Sequence, residues 1–204
     1  EESYSVPSIL LTLRLSSDTL TAMASLERFA LAPDLTICRI LNGMWQASGA
    51  HGRIEREKAL GSMAAHVDAG FTTWDLADHY GPAEDFVGEF RRRYAAERGE
   101  PALAGLQFCT KWVPRPGPMP PAVDEAAIAT SRRRMATETL DLLQFHWWDY
   151  ADRRYLDALA HLADLRDAGA VRHLALTNFD TERLAGILDQ GIRILNPLVD
   201  LLTR

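Results

Sequence analysis

The sequence is short of several things, and each shortage removes an explanation. Two cysteines in 204 residues, Cys38 and Cys109, are too few for a disulfide framework. Both sit in apolar runs, LTICRIL and LQFCTKW, so buried thiols in a reducing compartment are expected, cytoplasmic with an organelle as the other option. No apolar run approaches the roughly 20 residues that a membrane span needs. The segment VPSILLTLRL is too short and is interrupted by Pro7 and Arg14. An excess of positive charge is also missing. The net charge of −6 offers no basic field to neutralise phosphates, which argues against nucleic acid as a partner. The clusters Arg91-Arg92-Arg93 and Arg132-Arg133-Arg134 fall in helix-like segments and read as solvated helix faces.

What is present is the balance of a globular chain, 47% hydrophobic and 25% charged. Residues 1–22 are rich in Ser, Thr and Leu without a clear period, and Met23 opens a stretch, MASLERFALAPDL, that reads as a protein start. Residues 1–22 are therefore expected to be an extension outside the domain, and 23–204 the domain. The acidic Glu1, Glu2 and Asp18 speak against a transit peptide.

From Leu35 onward short apolar runs alternate with longer amphipathic ones. LTICRILNGMW, FTTWDLA, LQFCTKWV, TLDLLQFHWW, VRHLALTNF and IRIL read as strands. Between them lie segments of helical period. One is AEDFVGEFRRRYAAERGE, with Phe86, Phe90 and Tyr94 on one face. Another is RRYLDALAHLADLRDAGA, with Tyr155, Leu159 and Leu162. DTERLAGILDQG carries Asp180 as its N-cap. VPRPGPMPPAV is too proline-rich for helix or central strand. Strands alternating with helices imply an α/β fold with a parallel sheet, either doubly wound or a TIM-type barrel. LNGMWQASGAHG stands where a G-x-G-x-x-G fingerprint would follow the first strand of a dinucleotide-binding doubly wound fold, which weakens that option.

Polar residues recur once per unit: Asp75, Lys111, His146 and Thr177-Asn178, at intervals of 36, 35 and 32 residues. Each interval is about one βα unit. These groups are expected at one level, on the carboxyl ends of successive strands, which is the rim where barrel active sites are built. Taken singly, Lys111 could reach to solvent, His146 could be a core histidine, Asp75 a helix cap and Tyr80 a turn aromatic. The shared register favours a site. Asp78 and His79 lack that support and read as loop residues. A metal site from Asp75, His79, His146 and Asp149 is disfavoured, because Lys111 would place a cation among the ligands. Trp45, Trp112, Trp147 and Trp148 follow strand ends and could wall a small-molecule pocket or pack between helices.

WDLADHYGPAE resembles the D-x-A-x-x-YG-x-x-E signature of the aldo-keto reductases, and CTK, LLQFHWWD and LTNF match that family's later strand ends in order and spacing. The resemblance runs from about Asp34 to Ile194. It implies an incomplete TIM-type (β/α) barrel of about six of eight strands, with which a short N-terminal hairpin is compatible. It also implies an oxidoreductase passing hydride between NADPH and a small aldehyde or ketone. Its catalytic group would be Asp75, Tyr80, Lys111 and His146. Tyr80 would be the proton donor, its pKa lowered from about 10 by the Lys111 ammonium. Asp75 would hold Lys111 charged, and His146 would bind the substrate oxygen. Gly43, Met44, Trp45 and Asp75 would line the nicotinamide and ribose, and Thr177 and Asn178 the carboxamide. Glu84 and Asp85 are expected to serve the first turn of the following helix.

The match stops near the sixth strand. In the tail ILNPLVDLLTR, Pro197 and Asp200 suit neither of the roles that the family places there. A C-terminal truncation is the expectation, with the loops that clamp the pyrophosphate and the 2′-phosphate missing and NADPH binding weakened. Open sheet edges would then favour self-association. The alternative to an enzyme is a non-catalytic partial barrel, a binding or regulatory subunit or an inactive fragment.

Overall fold

In the computed structural model, which describes residues 26–49, 52 and 54–195, the runs between the helices form five parallel strands. β3 (Asn42–Gly43), β4 (Thr73–Asp75), β5 (Gln107–Trp112), β6 (Leu140–His146) and β7 (Val171–Thr177) lie side by side in that order. Five helices follow β3 to β7 in turn: α1 (Arg56–Asp68), α2 (Ala83–Arg98), α3 (Pro121–Arg134), α4 (Tyr155–Asp167) and α5 (Thr181–Asp189). The residues 1–22, Pro197 and Asp200 lie outside the described part. The fold is α/β, an incomplete TIM-type barrel.

The strands are apolar on both faces because each face meets a different layer. Trp74, Phe108, Trp112, Leu143, Phe145, Leu174 and Leu176 join the helices in one core, with Leu60, Met63, Phe86, Phe90, Tyr94, Ile128, Leu159 and Leu162. Each such side chain contributes about 1.5–3 kcal/mol by leaving water. The alternate residues Cys109, Leu142 and Ala175 face the other way, into a second cluster. What they meet there is an antiparallel hairpin, β1 (Arg28–Ala32) and β2 (Leu35–Cys38), through Ala32, Leu35 and Ile37. The hairpin therefore plugs the amino-terminal end of the barrel interior. The Cys38 amide donates to Thr73 Oγ1 at the start of β4 (2.9 Å). Both thiols are free and buried, as expected.

Two strand expectations need correction. LTICRILNGMW is two strands, not one. Leu35–Cys38 is spent on the hairpin, where the Arg39 amide still bonds Glu27 O (2.9 Å), and only Asn42–Gly43 pairs with β4. IRIL forms no assigned strand, although the Leu195 amide donates to Leu174 O of β7 (2.7 Å).

Helix details follow the sequence. Asp180 caps α5 by accepting from the Arg183 amide at 2.8 Å. Gly88 lets α2 lie against the end of α3, where a Cβ would stand 1.9 Å from the Arg134 carbonyl oxygen. Helix backbones can approach this closely only where the side chain is absent.

The rim is staggered. Asp75 pairs with Cys109, Lys111 with Gln144, and His146 with Thr177. The expected single level is thus corrected. From β4 to β5 and from β5 to β6 the functional residue climbs two positions. A two-residue step keeps the side chain on the same face, and such a stagger is what closing a sheet requires.

Candidate active site

Four inward side chains from four adjacent strands converge above the plugged interior. Asp75 ends β4, and its carbonyl accepts the Met44 amide (2.9 Å), fixing the turn after β3 beside it. Lys111 Nζ reaches both oxygens of Asp75 at 2.7 Å and the Leu76 carbonyl at 3.0 Å. The lysine is buried and the Asp75 side chain is 27% exposed. Gln144 Nε2 donates to Asp75 Oδ1 (2.9 Å), and Thr177 Oγ1 donates to Gln144 Oε1 (3.1 Å). Asp75, Lys111, Gln144 and Thr177 thus form one hydrogen-bonded line across β4, β5, β6 and β7.

Tyr80 lies on the turn after β4, as expected, within 5.4 Å of Lys111 Nζ measured to the ring centroid. Trp45 and His79 stand edge-on to its ring, each at 4.9 Å. The Asp78 amide ties this turn to Lys111 O (2.9 Å). Gly81 adopts φ +52° with Ser48 O only 2.9 Å from where a Cβ would be, so the turn packs backbone against backbone. The expected acidification of Tyr80 is not found. Burial first, and the Asp75 charge second, push its phenol above the ordinary tyrosine value. The Lys111 ammonium is already neutralised by Asp75 at closer range, so the tyrosine feels the carboxylate more than the cation.

His146 occupies the carboxyl end of β6. Its Nε2 is buried and has no hydrogen-bond partner among the described residues. Burial, then the charges of His79 and Lys111, lower its pKa, so the ring is neutral at pH 7. The exposed Trp148 lies over it at 4.2 Å between ring centroids. An unpartnered buried ring nitrogen is costly unless a ligand completes it.

The tryptophans divide. Trp45 and Trp148 are exposed beside Tyr80 and His146, whereas Trp112 and Trp147 are buried in the helix-facing core. Trp147 is held there by its Nε1, which donates to Asp149 O (2.6 Å) and Asp152 O (3.1 Å). Asn178 takes φ +71°, and its Nδ2 donates to Trp147 O (3.3 Å). Tyr150 OH donates to the Asn178 carbonyl. Gly43 has open space where a Cβ would be, and Met44 is buried. Glu84 sits in the first turn of α2 yet is buried. It accepts from Thr110 Oγ1 (2.8 Å) and pairs with Arg134 (3.3 Å), so it serves as a tie between layers as well as at the helix dipole. Asp85 stays in that turn without such a role. Asp78 and His79 remain on the turn, paired with each other at 3.0 Å. Among the described residues no three His, Cys, Asp or Glu side chains converge as a metal site, and no helix is long and apolar enough to cross a membrane.

Sequence reasoning missed Gln144. Its signal was available: it stands two positions before His146 on the same strand, hence on the same face, and it is a polar residue inside an apolar run. The residues present fit the nicotinamide end of a dinucleotide. They supply a hydroxyl, an unpartnered imidazole nitrogen and an exposed indole around one mouth.

A model of the aldo/keto reductase family matches residues 39–196. The chain is 29% identical over 134 residues to 2,5-diketo-D-gluconic acid reductase B of Corynebacterium sp., covering 66% of this chain and 46% of that protein. It is 28% identical over 153 residues to the aldo-keto reductase YhdN of Bacillus subtilis, covering 72% and 45%. Among solved structures, a Bombyx mori aldo-keto reductase in complex with NADP superposes with a TM-score of 0.68 at 20% identity, over 83% of this chain and 57% of that one. That likeness speaks to the fold. The chain spans about half the length of the curated relatives it matches.

Proposed function

The chain belongs to the aldo/keto reductase family, and from that premise we propose that it reduces small aldehydes or ketones with NADP(H) as the hydride source. The observation that carries the reading is the buried Lys111–Asp75 pair, held on the sheet beside Tyr80, with the unpartnered His146 Nε2 on the same rim. Reducing a carbonyl needs a hydride at carbon and a proton at oxygen. The cofactor, when bound, supplies the hydride; Gly43, Met44, Trp45, Asp75, Thr177 and Asn178 are the residues assigned to hold it.

The chain's own residues handle the proton. Tyr80 is the proton donor. Burial and the Asp75 charge raise its pKa, so the phenol holds its proton at neutral pH and is drawn to release it by the charge that develops on the substrate oxygen. The neutral His146 donates one N–H to the substrate oxygen and so shares the charge that develops there. Lys111, held charged and fixed by Asp75, is the cation that faces the phenolate left behind, with Asp75 offsetting part of its field. Trp45 and Trp148 stand against the two proton-handling rings. The substrate is a small carbonyl compound; neither membrane nor nucleic acid enters the reading.

The test is carbonyl-dependent oxidation of NADPH by the purified chain, compared with Tyr80→Phe. The substitution should lower kcat by about 10²–10⁴-fold and leave NADPH affinity nearly unchanged. Wild-type rates from Tyr80→Phe would refute the assignment. A folded chain with no turnover on any small aldehyde would favour a binding role instead.

A further inference from the structure

We propose that Gln144 is a positioning residue that fixes Thr177 as an acceptor-only group, so that the ligand atom met by Thr177 must carry an N–H or O–H. This rests in part on the nicotinamide reading above, because a primary carboxamide is the cofactor group that offers such a donor.

The argument is one of hydrogen-bond direction. Lys111 can only donate, and its ammonium lies 2.7 Å from both oxygens of Asp75. Asp75 therefore stands as an ionised carboxylate, which can only accept. The Gln144 group 2.9 Å from Asp75 Oδ1 must then be its NH2. Its other end, Oε1, can only accept, so the Thr177 hydroxyl 3.1 Å away must donate to it. A hydroxyl has one proton, and this one is used. Gln144 is buried and Thr177 is half-buried, so the chain of bonds cannot readily trade its partners for water. A glutamine amide is usually free to flip, but here the orientation is fixed from the lysine outward. A leucine at 144 would fill similar space and fix nothing, leaving the Thr177 hydroxyl free to donate or accept.

Gln144→Glu gives the decisive experiment. A protonated glutamic acid reproduces the pattern, with O–H toward Asp75 and carbonyl toward Thr177. A glutamate cannot do so, and it sets a second negative charge beside Asp75. The folded pKa of the introduced carboxyl is therefore raised above about 4.3. The folded state then binds the proton more tightly, and stability relative to wild type falls as pH rises from there through the folded pKa. Two readings are taken against wild type from pH 5 to pH 8: unfolding by urea, and NADPH affinity by nucleotide fluorescence. Near pH 5 the Gln144→Glu chain should match wild type in both. By pH 8 its affinity should be lower by about 5- to 15-fold, the worth of one or two buried hydrogen bonds. Gln144→Leu should lose a similar factor at every pH, and adding Thr177→Val to it should cost nothing more. A Gln144→Glu chain as stable and as tightly binding as wild type at pH 8 overturns the proposal, as does full additivity of Gln144→Leu and Thr177→Val. If wild type takes up no NADPH while the stability of Gln144→Glu still falls with pH, the bond direction stands and the cofactor reading falls.

Discussion

Breaking the Lys111–Asp75 pair from one side or the other should have unequal consequences, and the structure sets the order. The Lys111 side chain is 11% exposed and that of Asp75 is 27%. Asp75→Leu strands a buried ammonium whose one remaining acceptor among the described residues is Leu76 O. Removing one partner of a buried pair costs about 3–5 kcal/mol, and partial access of water to the Asp75 side places this case near about 3 kcal/mol. Lys111→Met leaves a carboxylate that keeps Gln144 Nε2 and some water, so about 2 kcal/mol or less is expected. The double variant removes both charges and should lie within about 1 kcal/mol of wild type, since well-packed apolar replacements of buried pairs are often neutral. Urea unfolding of the four chains closes the cycle. In thermal unfolding the Asp75→Leu drop would be about 6–12 °C for a chain of this size. A loss for Asp75→Leu within about 0.5 kcal/mol, typical of a surface substitution, would refute the reasoning. So would a double variant that costs the sum of the singles. The Lys111→Met chain and the well-folded double should both be inactive, because the ammonium that faces a Tyr80 phenolate is gone.

Asp124 is fully buried beside His161 (3.2 Å) between α3 and α4, one of its oxygens has no partner among the described residues, and burial pushes its pKa up to about 6. A raised folded pKa means that its contribution is most favourable below about pH 3.8 and is lost as pH climbs through about 6. Asp124→Asn should remove that slope and stabilise the chain by about 2 kcal/mol at pH 7, as read by urea unfolding across pH. Gly88→Ala would drive a methyl into the Arg134 carbonyl; a loss of about 1–3 kcal/mol in the same assay is expected, and a neutral result would mean that α2 and α3 separate freely. Trp147→Ala should cost about 3–5 kcal/mol and Trp148→Ala less than about 0.5, because the first indole is buried and bonded and the second is 67% exposed. Thermal melts distinguish them, while Trp148→Ala should alter carbonyl KM by uncovering His146.

Much of this was legible in the sequence because it depended on repetition. The spacing of Asp75, Lys111, His146 and Thr177 is set by the length of a βα unit, so four residues far apart in the chain announced one rim. Helix faces such as Phe86, Phe90 and Tyr94 were equally open, being a matter of period, and all three are buried. What stayed hidden was set by partners distant in sequence. Ile37 is apolar whether it lies in a barrel strand or in a plug, and only its contact with Cys109, Leu142 and Ala175 decides. The stagger of the rim comes from strand pairing, which spacing alone does not encode. Gln144 was masked by its neighbours: an amide among leucines and a phenylalanine reads as part of an apolar run until the strand's alternation is followed residue by residue.

The acidity of Tyr80 was misjudged for a related reason, and the correction changes what the site is suited to do. A cation near a phenol lowers its pKa only to the extent that the cation's charge is unspent. Here Asp75 meets Lys111 with both oxygens, and the residual field at Tyr80 is that of the carboxylate and of burial. The same Asp75 is the acceptor for Gln144, which in turn holds Thr177. Bonds in such a chain polarise one another. A ligand that donates to Thr177 strengthens the Thr177–Gln144 bond, and with it the Gln144–Asp75 bond. Each increment draws carboxylate charge away from Tyr80 and makes its proton easier to give. Acidity of the donor is thereby tied to occupancy of the far end of the line, three strands away.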